Sequence, residues 1–132
     1  MGLIHTLDSK ALGESRTLNI YLPPSYAADT VDSYPVIYLL DGSAHEDYPH
    51  VAGLIQFLHL YQLIPESILV GIANVDRYRD FSYPGSDPED NQYVPTNGGA
   101  AAFTQFIAEE LQPYIEQKFK GTGPKTIIGQ SM

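Results

Sequence analysis

The sequence predicts an α/β domain built on a mostly parallel sheet that opens with antiparallel strand. Three observations carry this. Val36-Ile37-Tyr38-Leu39-Leu40 and Ile68-Leu69-Val70-Gly71-Ile72 are short, unbroken apolar runs, the signature of strands covered on both faces. Between and after them the apolar period lengthens to that of a helix. The resulting order, strand, helix, strand, helix, strand, is the alternation that builds parallel sheets with crossover helices.

Thr17 to Leu22 comes first. Leu18, Ile20 and Leu22 alternate with more polar positions, the period of a half-buried strand. Pro23-Pro24 ends it, because proline cannot donate to a ladder. Residues 3 to 8 are expected to pair with it as a hairpin. Ser25 to Ser33 is polar and reads as a loop. The strand at Pro35 to Leu40 ends in Asp41-Gly42-Ser43, a turn signal.

His50 to Leu63 is expected to be helical, with Val51, Leu54, Ile55 and Leu58 on its apolar face. The strand at Ser67 to Ala73 follows Pro65. Asn74 to Asn97 has no period and holds three prolines with Tyr78, Phe81, Tyr83 and Tyr93. A loop this long is usually functional, and its aromatic content argues against disorder. Phe103, Phe106, Ile107, Leu111, Ile115 and Phe119 then mark a helix over residues 99–119. Pro113 lies inside it and predicts a kink or break. Lys125 to Gly129 is the third short apolar strand.

Composition narrows the function. Sixteen acidic against seven basic residues give a net charge of −9, so no nucleic-acid partner is expected, nor an anionic membrane surface. There is no cysteine, which excludes disulfides and thiol nucleophiles. No signal segment is visible in residues 1–11. A removed leader would look the same, so a cytoplasmic, periplasmic or secreted location all stay open. His45, Glu46, Asp47 and His50 match no metal motif; no metal or cofactor is expected.

The last residues, Ile127-Ile128-Gly129-Gln130-Ser131-Met132, run from a strand into Gly-x-Ser-x. This is the opening of a nucleophile elbow, in which a serine stands on a tight strand-to-helix turn with strained backbone. Small neighbours let the turn close. The turn exposes the Ser131 hydroxyl and aims the N–H of Met132 at a carbonyl oxygen under attack. A second donor comes from the loop after an earlier strand. Here that is the Ser43 N–H, with Gly42 either allowing close backbone approach to substrate or only permitting the turn. Arg77 and Arg79, just past a strand's carboxyl end, either hold a substrate group or pin the loop through Asp76 and Asp80. Tyr83, with Tyr78 and Tyr93, either stacks on an acyl group or anchors the loop. His45 lies close enough in sequence to the Asp41–Ser43 loop to be weighed as a base, and a surface role competes. His59 is expected at the boundary of a mostly apolar helix.

On these residues the chain resembles the Putative esterase family of α/β-hydrolases, which includes esterase D, siderophore esterases and feruloyl and acetylxylan esterases. The matching stretches are Arg16 to Pro24, Tyr34 to Gly42, Val70 to Asn74 with Asp76 to Asp80, Glu109 to Glu116, and Gly129 to Met132. Asp76 to Asp80 most resembles the siderophore-esterase branch. The resemblance implies a Ser, acid, His triad in that chain order, onto which only Ser131 maps. The acid, the histidine and the glycine completing the elbow are implied beyond residue 132.

Residues 1–132 are therefore expected to form an incomplete α/β-hydrolase domain, its N-terminal part, truncated at the nucleophile elbow. The implied function is carboxylic ester hydrolysis on a small-molecule ester, with this chain alone inactive. The competing expectation is a non-catalytic assembling or binding module. Its last strand would be a bare apolar edge, favouring an oligomer or a complex with the missing C-terminal half.

Overall fold

The computed structural model describes residues 2–131. Five strands form one sheet in the order β1-β2-β4-β3-β5. β1 (Leu3–Ser9) and β2 (Glu14–Tyr21) make the expected hairpin, registered from Leu3 opposite Ile20 to Ser9 opposite Glu14. β2 runs antiparallel to β4 (Ile68–Ile72). β3 (Val36–Leu39) lies parallel to both β4 and β5 (Lys125–Ile128).

The continuous apolar runs are explained by two cores, one on each face. Val36, Tyr38, Ile68, Val70 and Ile72 face Phe103, Phe106, Leu111, Ile115 and Phe119. The alternate positions, Leu39 and Leu69, face Tyr48, Ala52 and Ile55 of α1 (Tyr48–Leu60). The strand order steps one way from β3 to β4 and the other way from β4 to β5. Crossovers of one hand then put their helices on opposite faces.

α1 differs from the expected helix in position and face. It starts at Tyr48, and the turn after Leu60 takes Gln62 into the left-handed region at φ 56°. Tyr48, Ala52, Ile55 and His59 are buried, while the expected core residue Leu54 is 54% exposed. Val51, Leu54, Ile55 and Leu58 are apolar on more than one side of this helix, so their spacing alone does not fix which stripe packs inward.

The segment after β4 is not a featureless loop. α2 (Arg77–Asp80) is capped by the Asp76 carboxylate, which accepts from the Arg79 N–H at 3.1 Å. α3 (Pro88–Tyr93) is capped by Asp87 in the same way. The long helix is continuous but changes pitch. α4 (Ala100–Gln105) passes into a π-helical stretch, Phe106–Leu111, and then α5 (Gln112–Phe119). The Gln112 N–H donates five residues back, to Ile107. The wide turn sits immediately before Pro113, which has no N–H to give, and so it replaces the expected break. Among the described residues no helix is long and apolar enough to cross a membrane.

Candidate active site

Because β3, β4 and β5 are parallel, their carboxyl ends open on one edge of the sheet, where open α/β folds bind ligands. Three chain segments leave that edge together: Asp41-Gly42-Ser43, Asn74 with α2, and Gly129-Gln130-Ser131.

The first segment is clamped against the second. Asp41 turns the chain with a left-handed φ of 53° and is buried. Its carboxylate accepts from Arg77 Nε at 2.9 Å, Arg77 Nη2 at 3.2 Å and Asn74 Nδ2 at 2.7 Å. Burial alone would raise this carboxyl group; the Arg77 and Asn74 hydrogen bonds and the Arg77 charge outweigh it and hold the pKa below the ordinary value. Ser43 is buried, and its Oγ accepts the Asn74 N–H at 2.9 Å. The Gly42 N–H donates to Ile72 O at 2.9 Å, and Gly42 O accepts from Asn19 Nδ2 at 2.9 Å. A side chain at Gly42 would meet the backbone of Gly71 and Ile72 at 2.5 Å, so only glycine lets this loop lie on the end of β4.

The third segment joins at the other side of β3. Leu40 N–H donates to Ile128 O at 2.9 Å, and Gln130 Nε2 donates to Asp47 Oδ2 at 2.7 Å. Ser131 follows in the left-handed region at φ 67° and is exposed. A side chain bearing Cβ is disfavoured there, and such outliers gather at active sites. Ser131, Gln130, Asp41, Glu46, Asp47 and Arg77 line one open cleft of about 430 Å³.

The candidate residues thus separate. Ser131 and Arg77 share the cleft, and Gly42 and Ser43 follow directly on its wall residue Asp41. Met132 lies outside the described residues. Arg79 donates instead to Asp80 at 2.8 Å and Glu14 at 3.1 Å, and Arg77 spends its fork on Asp41. Tyr83 is 71% exposed and borders a different hollow with Pro84, Asp90 and Asn97. His45 is exposed and is not among the cleft residues; His59 is buried on the inner face of α1. Among the described residues no group of three His, Asp or Glu is placed to hold a metal.

Asp41, Glu46, Asp47, Asn74 and Gln130 were not marked as site residues by the sequence pattern. Their signal is positional: Asp41, Asn74 and Gln130 each lie two residues past a parallel strand's carboxyl end, and Glu46 and Asp47 lie in the turn between β3 and α1. Asp41 read only as half of a turn dipeptide, although an aspartate preceding a glycine tolerates the left-handed conformation that it adopts.

The Putative esterase family model matches residues 9–132. The ferri-bacillibactin esterase BesA of Bacillus subtilis (strain 168) is 33% identical over 134 residues, covering 90% of this chain and 46% of that protein. The crystal structure of an IroE-like serine hydrolase from Shewanella oneidensis superposes with a TM-score of 0.83 at 35% identity, over 98% of this chain and 42% of that one. The BES protein from Bacillus cereus gives a TM-score of 0.78 at 28% identity, over 97% and 50% respectively. The chain therefore spans about half the length of the proteins it matches.

Proposed function

This chain belongs to the Putative esterase family, and on that premise we propose that it supplies the nucleophile and oxyanion loop of a serine carboxylic ester hydrolase. The observation that carries the reading is the left-handed Ser131, at the end of β5, on a cleft shared with Asp41 and Arg77.

In this reading Ser131 Oγ attacks the ester carbonyl carbon while its proton passes to a general base. The Ser43 and Met132 N–H groups hold the oxyanion. The tetrahedral intermediate collapses, the alcohol leaves with the proton, and water then hydrolyses the acyl-serine. The Asp41–Arg77–Asn74 clamp keeps the loop that bears Ser43 fixed before substrate arrives. Gly42 allows close approach and Arg77 contributes positive charge to the cleft wall, while Arg79 and Tyr83, which lie outside the cleft, would contribute to binding only a substrate that extends beyond it. Because BesA is named a ferri-bacillibactin esterase, the favoured substrates are siderophore esters, with feruloyl-type esters next.

A serine without a base is a weak nucleophile, and all four histidines precede Ser131. The 132 residues alone are expected to turn over no p-nitrophenyl acetate. The decisive experiment is fluorophosphonate labelling read by intact mass. An adduct should form on Ser131 when the chain is fused to the second half of a relative such as BesA, and disappear in Ser131→Ala. A fused, folded protein that takes no adduct at Ser131 would sink the nucleophile assignment.

A second reading, an assembling module without catalysis, has one observation in its favour. Among the described residues β5 pairs only with β3, and Ile127 is 58% exposed. Such an edge accepts a further strand.

A further inference from the structure

Asn19 is out of place in β2. Asparagine is disfavoured inside strands, and this one is 4% exposed, between Leu18 and Ile20 and opposite Gly71 of β4. A buried side-chain amide is costly unless it is bonded. Its Nδ2 donates to Gly42 O at 2.9 Å, 23 residues along the chain. A carbonyl oxygen only accepts, so the NH2 end of the amide must face it. The loop that it reaches is pinned at its neighbouring atoms too. The Gly42 N–H donates to Ile72 O at 2.9 Å, Ser43 O accepts the Glu46 N–H at 3.0 Å, and Ser43 Oγ accepts the Asn74 N–H at 2.9 Å. The Ser43 N–H is different. Ser43 is 4% exposed, yet this N–H has no hydrogen-bond partner among the described residues. Buried backbone donors are nearly always paired, so an orphan here calls for an acceptor from outside the loop.

We infer that Asn19 is a positioning residue, which sets the direction of the Ser43 N–H by holding the carbonyl of the same peptide. The Gly42 carbonyl and the Ser43 N–H belong to one planar unit, and the described residues contain no cis peptide bond. In a trans peptide the two groups point in opposite directions. Asn19 draws the carbonyl toward β2, so the N–H is turned away from β2. In the sheet order β2 and β5 lie on opposite sides of β4 and β3, and Ser131 follows β5. The gripped peptide therefore presents its donor on the side of Ser131. Without that grip the peptide is free to flip, the more so because Gly42 has no Cβ to oppose it. The Gly42 N–H bond holds the peptide before this one, and the Ser43 Oγ bond holds the side chain after it; Asn19 holds this peptide itself. A donor set in advance costs no reorganisation when charge develops on the carbonyl oxygen under attack. The inference rests on the reading of the Ser43 N–H as an oxyanion donor. It adds to that reading a residue that is not among those lining the cleft.

Two measurements test it. In the 132-residue chain, the nitrogen-15 residual dipolar coupling of Ser43 reports the direction of its N–H. It should change in Asn19→Leu while the couplings of β3 and β4 stay as they are. The second measurement is made on the fusion with the second half of BesA. Fluorophosphonate first counts the competent Ser131, so that loss of folded protein does not enter the rate. Per titrated serine, kcat for p-nitrophenyl acetate should then fall roughly 10- to 100-fold in Asn19→Leu, at most the lower end of the loss seen when an oxyanion donor is removed outright. KM should move by less than about two-fold, because the bond is used only in the transition state. Asn19→Ala adds no bulk, should behave in the same way, and serves if the leucine does not fit. An unchanged kcat per titrated serine, a loss carried by KM, or an unchanged Ser43 coupling overturns the inference. In each of those cases Ser131 still labels, so the nucleophile reading survives. No adduct at Ser131 in the unsubstituted fusion is the separate result that sinks that reading, and this inference with it.

Discussion

Arg77 grips Asp41 with two donors, Nε at 2.9 Å and Nη2 at 3.2 Å, across the carboxyl ends of β3 and β4. The carboxylate is almost fully buried and the guanidinium about a quarter exposed. The fork therefore ties the left-handed turn at Asp41 to the start of α2. Asp41→Asn keeps the shape and removes the charge. It should cost about 1–3 kcal/mol at neutral pH, the penalty for a buried charge-assisted bond lost on one side.

That loss should depend on pH in a definite direction. The folded pKa of Asp41 is depressed, so its contribution is present in full above the unfolded value of about 4. It fades as pH falls from there through the folded value. The stability difference between wild type and Asp41→Asn, from urea melts at several pH values, should be constant near neutrality and shrink below about pH 4. A difference that does not move with pH would show that the charge on Asp41 contributes nothing.

Gly42 and Gly71 share one close contact. A Cβ on Gly42 would lie 2.5 Å from Gly71 Cα, and one on Gly71 would lie 2.9 Å from Gly42 O. Either alanine must push the Asp41–Ser43 loop off the end of β4. Each single variant should cost roughly 1–3 kcal/mol as an overpacking change. The double variant should cost less than the sum, because one displacement relieves the contact the two share and leaves only the clash of a Gly71 Cβ with Tyr48 Cδ2, at 2.8 Å. Amide exchange at residue 42, whose N–H bonds Ile72 O, should accelerate in both. Full additivity with an unchanged exchange rate would contradict the shared contact.

The parts of this fold that were legible in sequence are those in which neighbours in the chain share a fate. Val36–Leu39 and Ile68–Ile72 are apolar at consecutive positions because both sheet faces are covered. The strained turn at Ser131 was legible because it is local. Pairings across long separations were not. Arg16 shares a face of β2 with Leu18 and Ile20, so alternation points it at the core, but the partner that balances its buried charge, Asp80, lies 64 residues later. The inward face of α1 was illegible for the opposite reason, an excess of apolar choices. α2 and α3 are too short to show a period, although their caps, Asp76 and Asp87, stood in the sequence.

Arg16 anchors the loop that carries Arg77. Its Nη1 donates to Asp80 at 2.8 Å, its Nη2 to Ala73 O at 2.8 Å, and its guanidinium lies 5.2 Å from the Phe103 ring centroid. Both charges of the pair are wholly buried. Arg16→Met leaves the buried Asp80 with Arg79 Nε, at 2.8 Å, as its remaining ionic partner, so it should cost about 3 kcal/mol, the low end for breaking a buried pair. Arg16→Met with Asp80→Leu should recover a large part of that, since a buried pair often tolerates apolar replacement. Urea denaturation of the four proteins closes the cycle. A harmless Arg16→Met, or a double variant worse than the sum of the singles, would contradict a stabilising Arg16–Asp80 pair.

The tautomer of His59 follows from one hydrogen bond. The Ser67 N–H donates to His59 Nε2 at 3.1 Å, so that nitrogen is bare and the proton is on Nδ1. Nδ1 is buried and has no hydrogen-bond partner among the described residues. The ring stacks on Tyr21 at 5.9 Å. Burial lowers the His59 pKa, against a smaller upward pull from Glu66 and the Pro65 backbone. A depressed histidine stabilises the fold above its unfolded pKa of about 6.5, and that contribution drains away as pH falls toward the folded value. His59→Gln can still accept the Ser67 N–H but cannot titrate. The stability of wild type relative to this variant should be flat above about pH 7 and decline below 6.5. His5, His45 and His50 are common to both proteins and cancel. Nitrogen-15 spectra should show a single Nδ1–H tautomer at pH 7. An Nε2–H tautomer, or a relative stability that rises on acidification, would overturn the assignment.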